Sequence, residues 1–303
     1  MTSRRTMLLA VVICAASAAV AAAPGPPSIV VLSPLVDLGS VRPSVDGIAA
    51  PEPRSAPIPL LIQSSSPWSL TATLESNSAA TQLLPDGDRI EIRPAGRVWT
   101  RLQLSLPIPL ASGGETGPAG DSIPLEVRVI STLDSPPGSR HVRIRFAIAS
   151  DSNTGFADVS YAVPVVTQLN DDLTPFVSPR VNPARPGLYP YEIRTYQVVS
   201  NVPWVVEATL SAPAIAQASA ATLPQNTLVI TNETGVAQPL VPNEPVAIAS
   251  GGASGQQPRS VQLRLAVKVD DAVLPAGDYS GQLSLSIRPA ASSGSGTEAA
   301  VRR

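Results

Sequence analysis

The chain holds 303 residues but a single histidine, His141, and a single cysteine, Cys14. Serine-type triads and histidine-built metal sites draw on imidazole, so one histidine leaves both chemistries short of their groups. His141 shares its parity with Arg143 and Arg145, which reads as the solvated side of a strand. Acid–base chemistry would therefore fall to Asp and Glu, the residues that cleave glycosidic bonds. No pair of carboxylates stands out, so no catalytic residue is assigned and an enzyme is not expected. A secreted glycoside-acting enzyme is the remotest alternative.

Two other groups could bind rather than react. The run 151–158 carries side-chain oxygens at Asp151, Asn153 and Asp158, as calcium loops do. Gly155 comes one residue too early for an EF-hand and no terminal Glu follows, so the candidate is a Ca2+ site between two units, set against a plain Asx-rich turn. No other cofactor is expected. Trp99 lies between Arg97 and Arg101 on the polar parity of its segment. An aromatic ring flanked by guanidinium groups suits ligand binding, and carbohydrate stacking on an exposed Trp99 is the main alternative function. A covering loop or a neighbouring unit would account for the same residue. Asp270, Asp271 and Asp278 read as a solvated hairpin end. The glycine-rich runs 111–117 and 249–255 precede neither a Lys-Ser/Thr pair nor a helix, so they are hairpin loops and not phosphate cradles.

The elements that must position these residues are strands. With 33 Pro, 20 Gly and 44% apolar residues, the composition disfavours long helices without implying disorder. Ile62-Gln63-Ser64-Ser65-Ser66-Pro67-Trp68-Ser69-Leu70-Thr71-Ala72-Thr73-Leu74 reads as strand, polar turn, Pro-Trp and second strand. Trp68 shares a parity with Leu70, Ala72 and Leu74, which marks it as core. The same programme returns at Gln197–Leu210 with Trp204. Further matches follow at a spacing of about 136 to 139 residues: Ile90 and Ile92 with Leu228 and Ile230, then Leu125, Val127 and Val129 with Leu263, Leu265 and Val267. Ile144, Phe146 and Ile148 match Leu283, Leu285 and Ile287. Between these, Val98, Leu102, Leu104 and Leu106 share one parity and predict a further strand over 98–106. Leu84-Pro85-Asp86-Gly87-Asp88 is a strong turn signal.

The prediction is all-β: two tandem Ig-like antiparallel β-sandwich domains after a signal peptide. The expected boundaries are a signal peptide at 1–22, a first domain at 24–150, a linker at 151–158, a second domain at 159–290 and a flexible tail at 291–303. Val159 to Thr167 is the predicted first strand of the second copy.

Arg4 and Arg5, the apolar run from Met7 to about Ala19 and the small residues before Pro24 form the expected secretory signal, and Ser3–Leu9 also resembles a twin-arginine export signal. The run is too short for a comfortable membrane anchor, which needs roughly 20 residues. Cys14 lies within this leader, so the expected mature chain has no cysteine and relies on apolar cores. Its formal charge moves from -2 to about -4 on loss of Arg4 and Arg5, and its arginines are scattered along strands, so no nucleic-acid partner is expected.

Val199-Ser200-Asn201-Val202-Pro203-Trp204 resembles the Trp-bearing strand of bacterial extracellular Ig-like modules such as the BACON domain. Leu274-Pro275-Ala276-Gly277-Asp278-Tyr279-Ser280-Gly281 is similar to the last hairpin of such modules and to a tyrosine corner, which would place Tyr279 beside Trp68 and Trp204 among the structural core residues. The first copy has Arg140 where Tyr279 stands. The resemblance implies an adhesive, spacer or carbohydrate-binding module. The expectation is thus an exported, non-catalytic structural, adhesion or surface-assembly protein of the periplasm, cell surface or exterior. Its expected partners are a cell-envelope protein or glycan, with self-association and strand addition by an apolar segment such as Ile29 to Leu32 as the modes of contact.

Overall fold

The computed structural model describes residues 26–44, 52–75, 84, 86–148, 153–170, 180–182, 184–211, 215–216, 227–270 and 279–291. The predicted signal peptide, Asp151, Asp271, Asp278 and nearly all of the predicted tail lie outside the described residues. No helix is present among the described residues, and none is long and apolar enough to cross a membrane.

The first half contributes β1 (Ser28–Val31), β2 (Leu35–Ser40), β3 (Ser55–Gln63), β4 (Trp68–Glu75), β5 (Arg89–Pro94), β6 (Thr100–Arg101), β7 (Ile108–Gly113), β8 (Asp121–Ile130), β9 (Gly138–Ile148) and β10 (Thr154–Val163). These form two five-stranded sheets, β1-β3-β8-β5-β6 and β2-β10-β9-β4-β7. All neighbours are antiparallel except β2 and β10. Alternation drives the packing: in β4 every second residue from Trp68 to Leu74 is buried while Ser69, Thr71 and Thr73 are only partly so. Ile58, Leu60 and Ile62 of one sheet and Ile144, Phe146 and Ile148 of the other meet in a single apolar core.

The second half contributes β11 (Thr167–Asn170), β12 (Gly187–Pro190), β13 (Arg194–Ser200), β14 (Trp204–Leu210), β15 (Ile215–Ala216), β16 (Leu228–Thr231), β17 (Ala237–Pro239), β18 (Val246–Gly251), β19 (Arg259–Val269), β20 (Tyr279–Ser280) and β21 (Leu283–Pro289). One sheet runs β11-β13-β19-β16-β17, with β12 also on β19; a second is β18-β14-β21, and β15 pairs with β20 in a third. Trp204, Val206, Ile230 and Leu263 belong to a second, separate core. Positions matched across the two copies make the same cross-strand pairs. Ala72 faces Phe146 as Ala208 faces Leu285, and Ile92 faces Val127 as Ile230 faces Leu265. Even the bulge recurs, between Leu70 and Thr71 and between Val206 and Glu207.

Three expectations are corrected. The linker at 151–158 and the second-copy strand at Val159–Thr167 give way to β10, which pairs with β9 along its whole length and buries Ala157, Val159, Tyr161 and Val163 in the first core. The Asx-rich start of this segment disguised an alternating strand. The passage between the copies is residues 164–166. The strand predicted over 98–106 shrinks to β6, because Ser105 takes a φ of 58° and turns the chain; Leu102 alone of its apolar row is buried, while Val98 is 85% exposed. Ile29 to Leu32 is no free donor segment, since β1 already pairs with β3 of its own chain and Ile29 is buried. Tyr279 joins β20 through its backbone opposite Ala216; its ring, expected in the core, lies outside what the structure describes.

Candidate functional site

The feature that both copies build with most care is the turn before each buried tryptophan. Ser64 Oγ donates to Ser66 O at 2.7 Å, and Ser200 Oγ donates to Val202 O at the same 2.7 Å. Each turn is then clamped by the glycine-rich loop. Thr116 Oγ1 accepts from Ser64 N at 2.9 Å and Ser254 Oγ accepts from Ser200 N at 2.8 Å. These hydroxyls satisfy backbone groups that a buried Pro-Trp turn would otherwise leave unpaired. Trp68 and Trp204 are 5% and 1% exposed. Their indoles lie flat on Gly113 and Gly251, where an added Cβ would come within 2.5 Å and 2.7 Å of the ring. The glycine-rich loops thus supply a platform without a side chain and one hydroxyl clamp each. The repeat of Gly and Ser/Thr at matched spacing was the available signal for this role.

The candidate ligand residues separate. Trp99 is half-buried, and its ring holds the guanidinium carbons of Arg93 and Arg128, each 4.3 Å from the ring centroid. Both cations are themselves paired, Arg93 Nε with Glu126 at 2.7 Å and Arg128 Nε with Glu91 at 2.7 Å. Arg97 and Arg101, the expected neighbours, are exposed and form no part of this stack. Residues on β5 and β8, not Arg97 and Arg101 two positions away, supply the cations, because on a sheet face adjacent strands lie closer than same-face residues two apart on one strand. Trp99 is therefore an internal cation–π packing residue on the outer face of its sheet, and stacking on a sugar would have to displace these contacts.

Of the calcium candidate, Asp151 lies outside the described residues, and the other two residues have partners of their own. Asp158 sits within β10 and accepts two hydrogen bonds from Arg143, at 2.7 and 3.1 Å, while Asn153 Nδ2 donates to Pro27 O at 3.1 Å. The Asp158 carboxylate raises the Arg143 guanidinium above its ordinary value through this hydrogen bond and its charge. No group of three or more His, Cys, Asp or Glu able to hold a metal occurs among the described residues. His141 is exposed on β9 opposite Ser160.

A cleft of about 950 Å3 opens at one end of the first sandwich, lined in part by Asp86, Asp88, Arg101, Thr132, Asp134 and Gln256. The turn at its wall requires Gly87, whose φ is 107° and whose added Cβ would fall 2.5 Å from Thr132 Oγ1. Asp88, 4% exposed, accepts a hydrogen bond from Tyr161 Oη at 2.9 Å. Burial, and then the Asp88 charge, push the Tyr161 phenol well above its ordinary pKa. The cleft carries both signs of charge and no paired nucleophile and base.

Asn201 was missed as a site residue because its turn position is polar in both copies. Its counterpart Ser65 is exposed, whereas Asn201 is 4% exposed and straps the passage between the sandwiches. Its Oδ1 accepts from Val166 N at 2.8 Å, and its Nδ2 donates to Pro164 O at 2.9 Å and, more loosely, to Ser135 O at 3.4 Å. Leu133, Val199 and Val166 pack beside it.

No protein-family profile matches the chain, and no curated protein matches it. Among solved structures, similarity is found to the chaperone–tip adhesion subunit pre-assembly complex of archaic chaperone-usher Csu pili from Acinetobacter baumannii, at 13% identity and a TM-score of 0.41, over 86% of this chain and 99% of that one. The CupB6 tip adhesin from Pseudomonas aeruginosa is similar at 11% identity and a TM-score of 0.37, over 87% of this chain and 93% of that one. A portion of a family 123 glycoside hydrolase from Clostridium perfringens, 27% of that chain, matches 47% of this one at 10% identity and a TM-score of 0.26. Likeness at this level carries no argument about activity.

Proposed function

We propose that the chain is an exported, non-catalytic surface-assembly or adhesion protein whose two sandwiches present sheet margins to a cell-envelope partner. The observation that carries this reading is an apolar margin at the start of the fold: Val30, Leu32 and Leu35 are 49%, 55% and 78% exposed within six residues, along the edge strands β1 and β2. Exposed large apolar side chains at two sheet edges and the turn between them offer a surface for protein contact. Several charged side chains are paired with one another on the sheet surfaces, as the Arg143–Asp158 and Arg93–Glu126 pairs illustrate. Export rests on the leader-like residues 1–22, and the likeness of the Trp204 strand to bacterial extracellular Ig-like modules belongs to the same proposal. The test is expression of the full chain with its leader, followed by fractionation and capture from envelope extracts. We expect recovery outside the cytoplasm and capture lost in Leu32→Asp/Leu35→Asp. Cytoplasmic retention, or capture indifferent to those changes, would overturn the reading.

A further inference from the structure

The two copies differ at one edge. In the first, β9 lies between β4 and β10, and Ile144, Phe146 and Ile148 are buried to within 1%. In the second, the equivalent strand β21 pairs only with β14 among the described residues, and the matched Leu283, Leu285 and Ile287 are no more than half-buried. A strand left this way offers a row of backbone donors and acceptors to any extended chain.

The other edges are blunted. β1, β6, β11, β12 and β17 have 4, 2, 4, 4 and 3 residues. β2, β7 and β18 each meet their neighbour through a shift in register. β21 runs seven residues against β14 with no shift, carries no lysine, and has its one proline at its last position. Its arginine, Arg288, is held by Glu207 at 2.7 Å. Short length, bulges, lysine and proline are the usual protections of an edge, and β21 lacks them over its first five residues.

We propose that the edge of β21 left unpaired among the described residues pairs antiparallel with β21 of a second copy of this chain, joining the two three-stranded sheets into one of six strands. The strand is self-complementary about Leu285. A two-fold axis there sets Leu283 opposite Ile287 of the partner subunit and Leu285 opposite its own image, with Ser284 opposite Ser286 of the partner subunit on the outer face. No like charges meet. The chain's own residues 292–303 follow β21 as β10 follows β9, but they offer Val301 as their only large aliphatic residue, where β10 buries Ala157, Val159, Tyr161 and Val163. This inference rests on the assembly reading above and adds to its envelope partner a second copy of the chain, on an edge separate from the β1 and β2 margin.

Sedimentation of the mature chain over a range of concentrations tests it. We expect a reversible dimer, weakened roughly tenfold or more in Ser284→Lys/Ser286→Lys and in Ser284→Glu/Ser286→Glu, and restored when the two variants are mixed. These are exposed serines, so folding is not at stake. With Cys14 in the leader, single Ser284→Cys and Ser286→Cys chains provide a register test: oxidation should crosslink their mixture far better than either alone. A monomer at all concentrations, charge variants that dimerise like the parent, or a dimer that forms only after removal of residues 292–303 would overturn the proposal. Envelope capture that persists in a strictly monomeric protein would overturn it while leaving the assembly reading intact.

Discussion

The two sandwiches share their tryptophan, its glycine platform and its hydroxyl clamp, yet differ in how completely their sheets are closed. The first sandwich covers β9 with β10 and β2, whereas the second leaves β21 at the margin among the described residues. Duplication therefore conserves the local device that a buried indole needs, while the sheet edge, which depends on a strand outside that device, is free to differ. The turn residue differs as well: Ser65 faces solvent in the first copy, and Asn201 is buried against the passage between the copies in the second.

The comparison can be broken most forcefully at the indoles. Trp68→Ala and Trp204→Ala should each cost about 3 to 5 kcal/mol. Because the cores are separate, calorimetry should show each change lowering the transition of its own sandwich; one merged transition moved equally by both would mean that the cores unfold together. Next come the platforms. Gly113→Ala and Gly251→Ala drive a methyl into the ring and should cost about 1 to 3 kcal/mol each by urea unfolding, with similar losses in the two copies. Asn201→Ala should cost about 1 to 2 kcal/mol through unpaired backbone groups at the passage, whereas Ser65→Ala should leave the midpoint where it is. Equal losses would erase the distinction between the two turns.

The smallest expected effect is alkaline. The folded phenol of Tyr161 has its pKa raised above the ordinary value of 10.0 by burial and by Asp88. The raised folded value means that its stabilisation is complete below the unfolded pKa and is lost as pH rises above about 10. Tyr161→Phe should flatten this alkaline decline, at a cost near neutrality of about 1 kcal/mol from the lost hydrogen bond to Asp88. An unchanged pH profile of the melting temperature would show that the decline comes from other groups.

The all-β class was legible because alternation with period 2 and frequent Pro and Gly leave no other regular structure available. Alternation misled where the backbone overruled it. The row Val98, Leu102, Leu104 and Leu106 implies a strand, but Ser105 at positive φ ends it and three of the four side chains stay exposed. In the opposite direction, an Asx-rich start hid the alternation of β10. The contacts of the binding candidates were hidden for another reason. Trp99 meets Arg93 and Arg128, which lie on β5 and β8, and Asp158 meets Arg143, 15 residues earlier; spacing within a single strand carries no record of these partners.

What the chain's own pattern decided is which side chains point inward, since in a strand that follows from residue parity alone. Only the assembled sheets decided who neighbours whom: that β10 closes the first sandwich, that β21 is left at an edge among the described residues, and that Asn201 is buried where Ser65 is not. The physical reason is that facing is a property of single strands, whereas neighbours are set by hydrogen-bonded pairing between segments that can lie far apart along the chain.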